Sequence, residues 1–234
     1  MKARDYILPA LVLVSMLAAL YMIGFYAPTE REQGVVQKIF YFHVPSAWVS
    51  FLAFFVVCVY SIRYLMSRDK RWDNRAAAAA EIGVMFCTLV LITGPIWAKP
   101  VWGIWWTWDA RLTLTLVLWL IYVSYVLLRH YVAGAEKRAT LSAILGIIGF
   151  IDVPLVYFAI RWWRTQHPQP VLGGGDGSGL DPRMLATLAV CTLAFTLLFL
   201  YLSRIRAKQY DLEDEIEQAH QRADELPAPG NGGQ

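Results

Sequence analysis

Charge is scarce in this chain. Asp, Glu, Lys and Arg make up 17% of its 234 residues, against 57% hydrophobic. A soluble domain carries about a quarter charged residues, so the balance points to a membrane protein. Cysteine is scarcer still: Cys58, Cys87 and Cys191 each stand alone in an apolar run and no Cys-x-x-Cys occurs. That spacing excludes a thiol redox motif, a zinc knuckle and thioether attachment of a cofactor, and leaves three small buried hydrophobes. The chain also lacks a Gly-x-x-x-x-Gly-Lys-Ser/Thr loop, so any use of ATP belongs to another subunit. It shows no internal repeat. The small net charge of +3 is no nucleic-acid signature, because the basic residues sit in short loops between apolar runs.

Long apolar runs are abundant. A hydrocarbon core ~30 Å thick is crossed by about 20 residues of helix. Six segments meet that length, near 7–26, 46–66, 79–97, 112–129, 139–160 and 184–203. The first follows Lys2 and Arg4 as a signal peptide would, but its apolar core is too long for one and no small-x-small cleavage site follows; it reads as an uncleaved span. With six spans, one side collects 14 Lys and Arg and the other 7. The positive-inside rule then puts both termini in the cytoplasm and the segments 27–45, 98–111 and 161–183 outside. Residues 1–205 form one six-span domain. Residues 206–234 form an acidic cytoplasmic tail, with net charge −5 between Ala207 and Leu226, expected as a solvated polar helix; 227–234 is expected to be disordered. The outer Gly173–Gly179 loop has no phosphate-binding context and reads as a flexible linker.

The outer side carries the chemistry. Trp102, Trp105, Trp106 and Trp108 fall within seven residues, followed by Asp109 and Arg111. Four flat rings exceed what interfacial anchoring requires and make a platform for a planar ligand. As a helix, this stretch would place Trp102, Trp105, Trp106 and Asp109 on one face, so a short interfacial helix is expected. His43, two residues before Pro45, stands at the outer mouth of the second span; His167 lies just past the fifth. Two imidazoles on one side, beside an aromatic platform, meet the needs of a bis-histidine haem. Arg111, Arg161 and Arg164 would then pair with its propionates. Plainer roles stand beside these. Asp109 equally suits the N-cap of the fourth span, the three arginines suit interfacial anchoring, and Trp48, Trp97, Trp119, Trp162 and Trp163 suit an aromatic belt. Asp152, near the middle of the fifth span and two residues before Pro154, is a functional candidate because an ionisable group there is costly. Glu81 reads as a helix-start acid.

Three stretches carry a family resemblance: Phe42-His43-Val44-Pro45-Ser46-Ala47-Trp48, then Trp102-Gly103-x-x-Trp106-x-Trp108-Asp109-Ala110-Arg111-Leu112-Thr113, then Trp162-Trp163-Arg164-Thr165-x-His167. Together they resemble the haem-handling protein family of cytochrome c biogenesis, in its CcmC or haem exporter protein C type, over roughly residues 5–205. The resemblance implies an all-α integral membrane protein of the bacterial inner membrane with six transmembrane helices. It implies that His43 and His167 are axial ligands of non-covalent haem b on the periplasmic side, and that the tryptophan segment cradles the haem edge. The implied partners are a periplasmic haem chaperone, an ABC-type ATPase and its membrane subunit, and a small single-span accessory protein, besides membrane lipid; nucleic acid is not among them. The chaperone's own histidine would become covalently bonded to haem while docked here, and ATP hydrolysis would drive release. No catalytic nucleophile is evident in this chain, so its part in that lyase-like step is positioning. Three other readings stay open: a b-type electron-transfer cytochrome, a transporter that moves haem across the membrane, and a structural subunit of an ABC complex whose aromatics are merely interfacial.

Overall fold

A computed structural model describes residues 4–163, 165, 167 and 180–224. Arg164, the glycine-rich loop and residues 227–234, on which expectations were placed above, lie outside the described residues. The elements of the described residues are all helices, joined by short irregular segments: α1 (Arg4–Tyr21), α2 (Phe40–Ser67), α3 (Lys70–Trp102), α4 (Ala110–Tyr131), α5 (Ala135–Phe150), α6 (Asp152–Trp162) and α7 (Pro182–Asp224). A π-helical turn, Met22–Tyr26, extends α1, and a 3₁₀ turn, Val35–Ile39, leads into α2. Among the described residues six helical segments are long and apolar enough to cross a membrane, with α5 and α6 counting as one.

The break between α5 and α6 has a local cause. Pro154 has no N–H for the carbonyl of Phe150, so the helix is interrupted at Ile151 and restarts at Asp152. Asp152 is buried at the restart, and its Oδ2 has no hydrogen-bond partner.

The second helix is the hub, packed against α3, α5 and α7, while α1 leans on α7. Without a strong hydrophobic drive between helices in lipid, close backbone approach through small residues supplies the packing. The run Ala76–Ala80 on α3 is buried accordingly. At Gly83 a β carbon would lie 2.6 Å from Phe54 Cε1 and 2.9 Å from Ala53 Cβ, so only glycine lets α3 approach α2 this closely. Phe54 stacks on Tyr122 with centroids 3.7 Å apart, and the Tyr122 hydroxyl donates to the Gly146 carbonyl at 3.0 Å. Trp119 and Trp48, which had suited a belt, instead donate across helices to Thr88 (2.8 Å) and Thr196 (3.1 Å).

At the end of the bundle holding the α2–α3 turn, polar side chains find partners. Asp69 caps α3 by accepting from the Arg71 N–H at 3.0 Å; the Arg71 guanidinium beside it, with that backbone bond, holds its carboxyl below the usual range. Asp73 and Arg129 form a two-pronged ion pair at 2.6 and 3.0 Å, both side chains nearly inaccessible. The helix α7 runs without interruption from its apolar part into the acidic segment, whose first turns are held rather than merely solvated. Asn74 donates to Asp211 (2.9 Å) and Asp214 (2.8 Å), and Lys70 pairs with Asp214 at 2.5 Å. Glu81 is no helix-start acid. Because α3 begins at Lys70, Glu81 lies in its fourth turn, where it accepts from Arg206 at 2.5 and 3.1 Å and from the Tyr210 hydroxyl.

Candidate functional site

The far end of the bundle is built around a narrow cleft where α2, α3 and α4 meet the segment after α6. Its interior void is only about 80 Å³, within atom-free space of about 990 Å³ reaching out to the open mouth. This slit is walled largely by apolar and aromatic side chains. His43, Trp102, Trp105, Trp106, Asp109, Arg111 and His167 all line it. Of the remaining expected residues, Trp108 packs edge-on against Trp106 at 5.7 Å and is itself largely exposed. Arg161 lies outside the lining, exposed on the last turn of α6 and poised over the rings of Tyr157 (5.9 Å) and Phe158 (5.8 Å).

The tryptophan segment differs from the expected interfacial helix. The third helix ends at Trp102, where Gly103 adopts φ +76°, a left-handed conformation that favours glycine, and its N–H closes on the Lys99 carbonyl at 2.9 Å. Residues 103–109 form no helix. Asp109 then starts α4: its Oδ1 accepts from the Leu112 N–H at 3.1 Å and its Oδ2 from the Thr107 hydroxyl at 2.9 Å. With a helix stop at one end and a helix cap at the other, the intervening residues become a strap across the mouth of the slit. Trp106 turns inward, while Ile104, Trp105 and Trp108 stay exposed.

His43 is held with unusual completeness. It lies in the first turns of α2, buried to 8% exposure, because the helix begins at Phe40 rather than at Pro45. Placement inside the helix end, rather than at its mouth, seats the ring against α3. Its Nδ1 lies 2.9 Å from Thr93 Oγ1. The Thr93 hydroxyl has one hydrogen, which it donates to the Leu89 carbonyl at 2.6 Å. Thr93 must therefore accept from His43 Nδ1–H, and this count leaves Nε2 unprotonated with its lone pair available. Gly94 makes room for the ring: a β carbon there would sit 3.3 Å from His43 Cε1. Trp97 meets the ring edge-on at 5.8 Å and is fixed by donating to Gln33 Oε1 at 2.9 Å.

The imidazole rings of His43 and His167 have centroids 6.4 Å apart, tilted by 33°. Two imidazoles on opposite sides of one metal, each ~2.0–2.1 Å from it, place their centroids about 6.3 Å apart. Two donors in the slit are left over. Trp106 Nε1 and Arg111 Nη1 are buried without a hydrogen-bond partner among the described residues. A buried orphan guanidinium N–H is costly unless a ligand supplies an acceptor, and a carboxylate is the best match. Metal-spaced histidines, an apolar and aromatic lining and a buried cationic donor together fit an iron porphyrin carrying acidic side groups.

Thr93 and Gly94 escaped the sequence reading, and Trp97 was placed only in an aromatic belt. The signal present was Thr93-Gly94-Pro95, a polar residue and two helix-weakening ones inside an apolar run, but nothing in that triplet names the histidine it serves.

A family model described as heme exporter protein C matches residues 2–222. The chain is 41% identical over 188 residues to the heme exporter protein C of Bradyrhizobium diazoefficiens, covering 78% of this chain and 71% of that protein. It is 33% identical over 205 residues to the heme exporter protein C of Escherichia coli K12, covering 85% and 80% respectively. To the protein of the same name in Haemophilus influenzae it is 30% identical over 192 residues, covering 82% and 78%.

Proposed function

The chain belongs to the heme exporter protein C family of cytochrome c biogenesis, and from that premise we propose that it holds haem b non-covalently between His43 and His167 and presents it for covalent attachment to a periplasmic haem chaperone. The single observation that carries this reading is the 6.4 Å separation of the two imidazoles, with the His43 tautomer fixed so that Nε2 can coordinate. Haem is cargo here, and each residue has a part in handling it. His43 and His167 are the axial ligands. Arg111 donates to a propionate, joined by Arg161, exposed at the end of α6, and by Arg164, which lies outside the described residues. Trp102, Trp105, Trp106 and Trp108 bound the macrocycle, and the outer rings of the strap form the face on which the chaperone docks. Exposed tryptophans grouped this way are a common anchor for protein association. Asp109 keeps the strap in register by capping α4.

In this reading the protein supplies no nucleophile. It contributes by holding the porphyrin edge and the docked chaperone in one geometry, a positioning role. An ABC-type ATPase with its membrane subunit, and a small single-span protein, complete the haem export complex. The basic, ion-paired end faces the cytoplasm and the tryptophan end the periplasm of a bacterial inner membrane, as the distribution of Lys and Arg favours.

Replacing both His43 and His167 by Ala should abolish the bis-histidine Soret and α bands of the purified, haem-loaded protein. An unchanged spectrum in that variant would falsify the ligand assignment. The place of His43 inside α2 also favours a second reading, a b-type electron carrier, since such proteins hold haem between histidines of their spans. Reduction of the bound haem by a quinol at turnover rates would select that reading over haem presentation.

A further inference from the structure

At the opposite end of α3 lies a second and much roomier cleft. About 40 Å of helix separates Arg75 from Trp102, at ~1.5 Å per residue. The void, about 1050 Å³, opens between α1, α2, α3 and α7. Arg75, Arg204 and Lys208 line its rim, with Asp211 as the one carboxylate; Leu8, Val56, Phe199 and Leu200 are among its apolar walls. Neighbouring cations at this end, Lys70, Arg71, Arg129 and Arg206, are each paired with a carboxylate. Arg75, Arg204 and Lys208 form no ion pair among the described residues, and Asp211 is engaged by Asn74 at 2.9 Å. The hydroxyl oxygen of Ser203, also in the lining, is buried without a partner.

A void of this size between membrane-spanning helices does not stay empty. Its lower walls are as apolar as acyl chains, and its rim offers three cations to an anion, with the Ser203 hydroxyl buried in the lining. We propose that this cleft is a binding site for an anionic phospholipid of the surrounding bilayer, its phosphodiester held by Arg75, Arg204, Lys208 and Ser203 and its acyl chains lying along α1 and α7. Basic pockets between spans recognise acidic headgroups in this way. The site is independent of the haem reading: its residues share none with the slit.

The test is native mass spectrometry of the purified full chain given phosphatidylglycerol and phosphatidylcholine in equal amounts. Wild type should retain the anionic lipid at least about tenfold more, since each cation contributes roughly fivefold. The Arg75→Gln/Arg204→Gln/Lys208→Gln variant should lose that preference, and each single variant should show an intermediate one. As a second measurement, phosphatidylglycerol should raise the melting temperature of wild type, whereas phosphatidylcholine and inorganic phosphate should not. Equal retention of the two lipids, a thermal shift with free phosphate equal to that with lipid, or an undiminished preference in single variants that melt as wild type does would each overturn the site.

Discussion

The two ends of the bundle treat buried charged groups in opposite ways. At the ion-paired end Asp73 and Arg129 neutralise each other, and Glu81, Asn74 and Asp214 take partners from across the helices. At the slit end Arg111 Nη1 and Trp106 Nε1 are buried with nothing to donate to, although Asp109 stands two residues from Arg111 and spends its oxygens on a cap. At one end the buried carboxylates are matched by cations of the fold itself. The other keeps two buried donors for which, in the proposed reading, a ligand would supply acceptors. That contrast separates residues that hold the fold from residues that wait for cargo, and it can be broken from either side.

The largest effect is expected at the finished end. Replacing Arg129 by Met leaves Asp73 as an uncompensated buried charge, at a cost of about 3–5 kcal/mol. Thermal denaturation in detergent should show the loss, and the Asp73→Leu/Arg129→Met double variant should recover most of it, because the penalty is the orphaned charge rather than the missing attraction. An Arg129→Met protein as stable as wild type would mean that this end is not the structural one.

At the slit end the same logic predicts a loss of binding with little loss of fold. Thr93→Val removes the acceptor for His43 Nδ1–H and frees the ring to adopt the other tautomer. Hydrogen-bond partners of metal-ligating histidines are worth roughly 10–100-fold in affinity. Haem titration of the purified variant should fall in that range, Thr93→Ser should restore it, and the melting temperature should move little. Equal haem affinity in Thr93→Val and wild type would remove Thr93 from the positioning role. Gly94→Ala is a milder form of the experiment. Its methyl group meets His43 Cε1 at 3.3 Å, so the ring must yield by a few tenths of an ångström; haem affinity should drop less than in Thr93→Val, with the axial-ligand bands shifted rather than lost.

How much of this was legible beforehand follows from the range of the interactions. The six spans were readable because bilayer thickness sets helix length, and hydropathy reports that directly. Their polar extensions were not: α2 and α3 run well past the apolar windows, so His43 fell inside a helix and Glu81 well past the start of one. The tryptophan stretch has a helical pattern of residues, but Gly103 and Asp109 stop and start helices, and these two local signals outweighed the periodicity. The partners of Thr93, Asp73 and Glu81 are remote in sequence, 50, 56 and 125 residues away. Contacts of that separation leave no periodic trace in one chain. The histidines could be placed on one side from the spans alone, whereas their spacing required the fold.

The smallest effect sharpens the contrast at its boundary, where Asp109 serves both ends of the argument. As the N-cap of α4 it accepts from the Leu112 N–H, and through Thr107 it ties down the strap. Asn caps a helix about as well as Asp, whereas Ala costs about 1 kcal/mol. Asp109→Asn should therefore leave both the melting temperature and the haem affinity near wild type. Asp109→Ala should lower stability by about that amount, with haem binding weakened only as far as the strap loosens. The comparison with Arg111→Gln makes the outcome decisive. If Asp109→Asn weakened haem binding as strongly as Arg111→Gln while melting as wild type does, the carboxylate would be acting on the ligand through its charge, and Asp109 would belong with the unfinished polar groups of the slit. A cap that tolerates the amide keeps it with the scaffold, and leaves Arg111 as the charged group on α4 left waiting for the porphyrin's acidic edge.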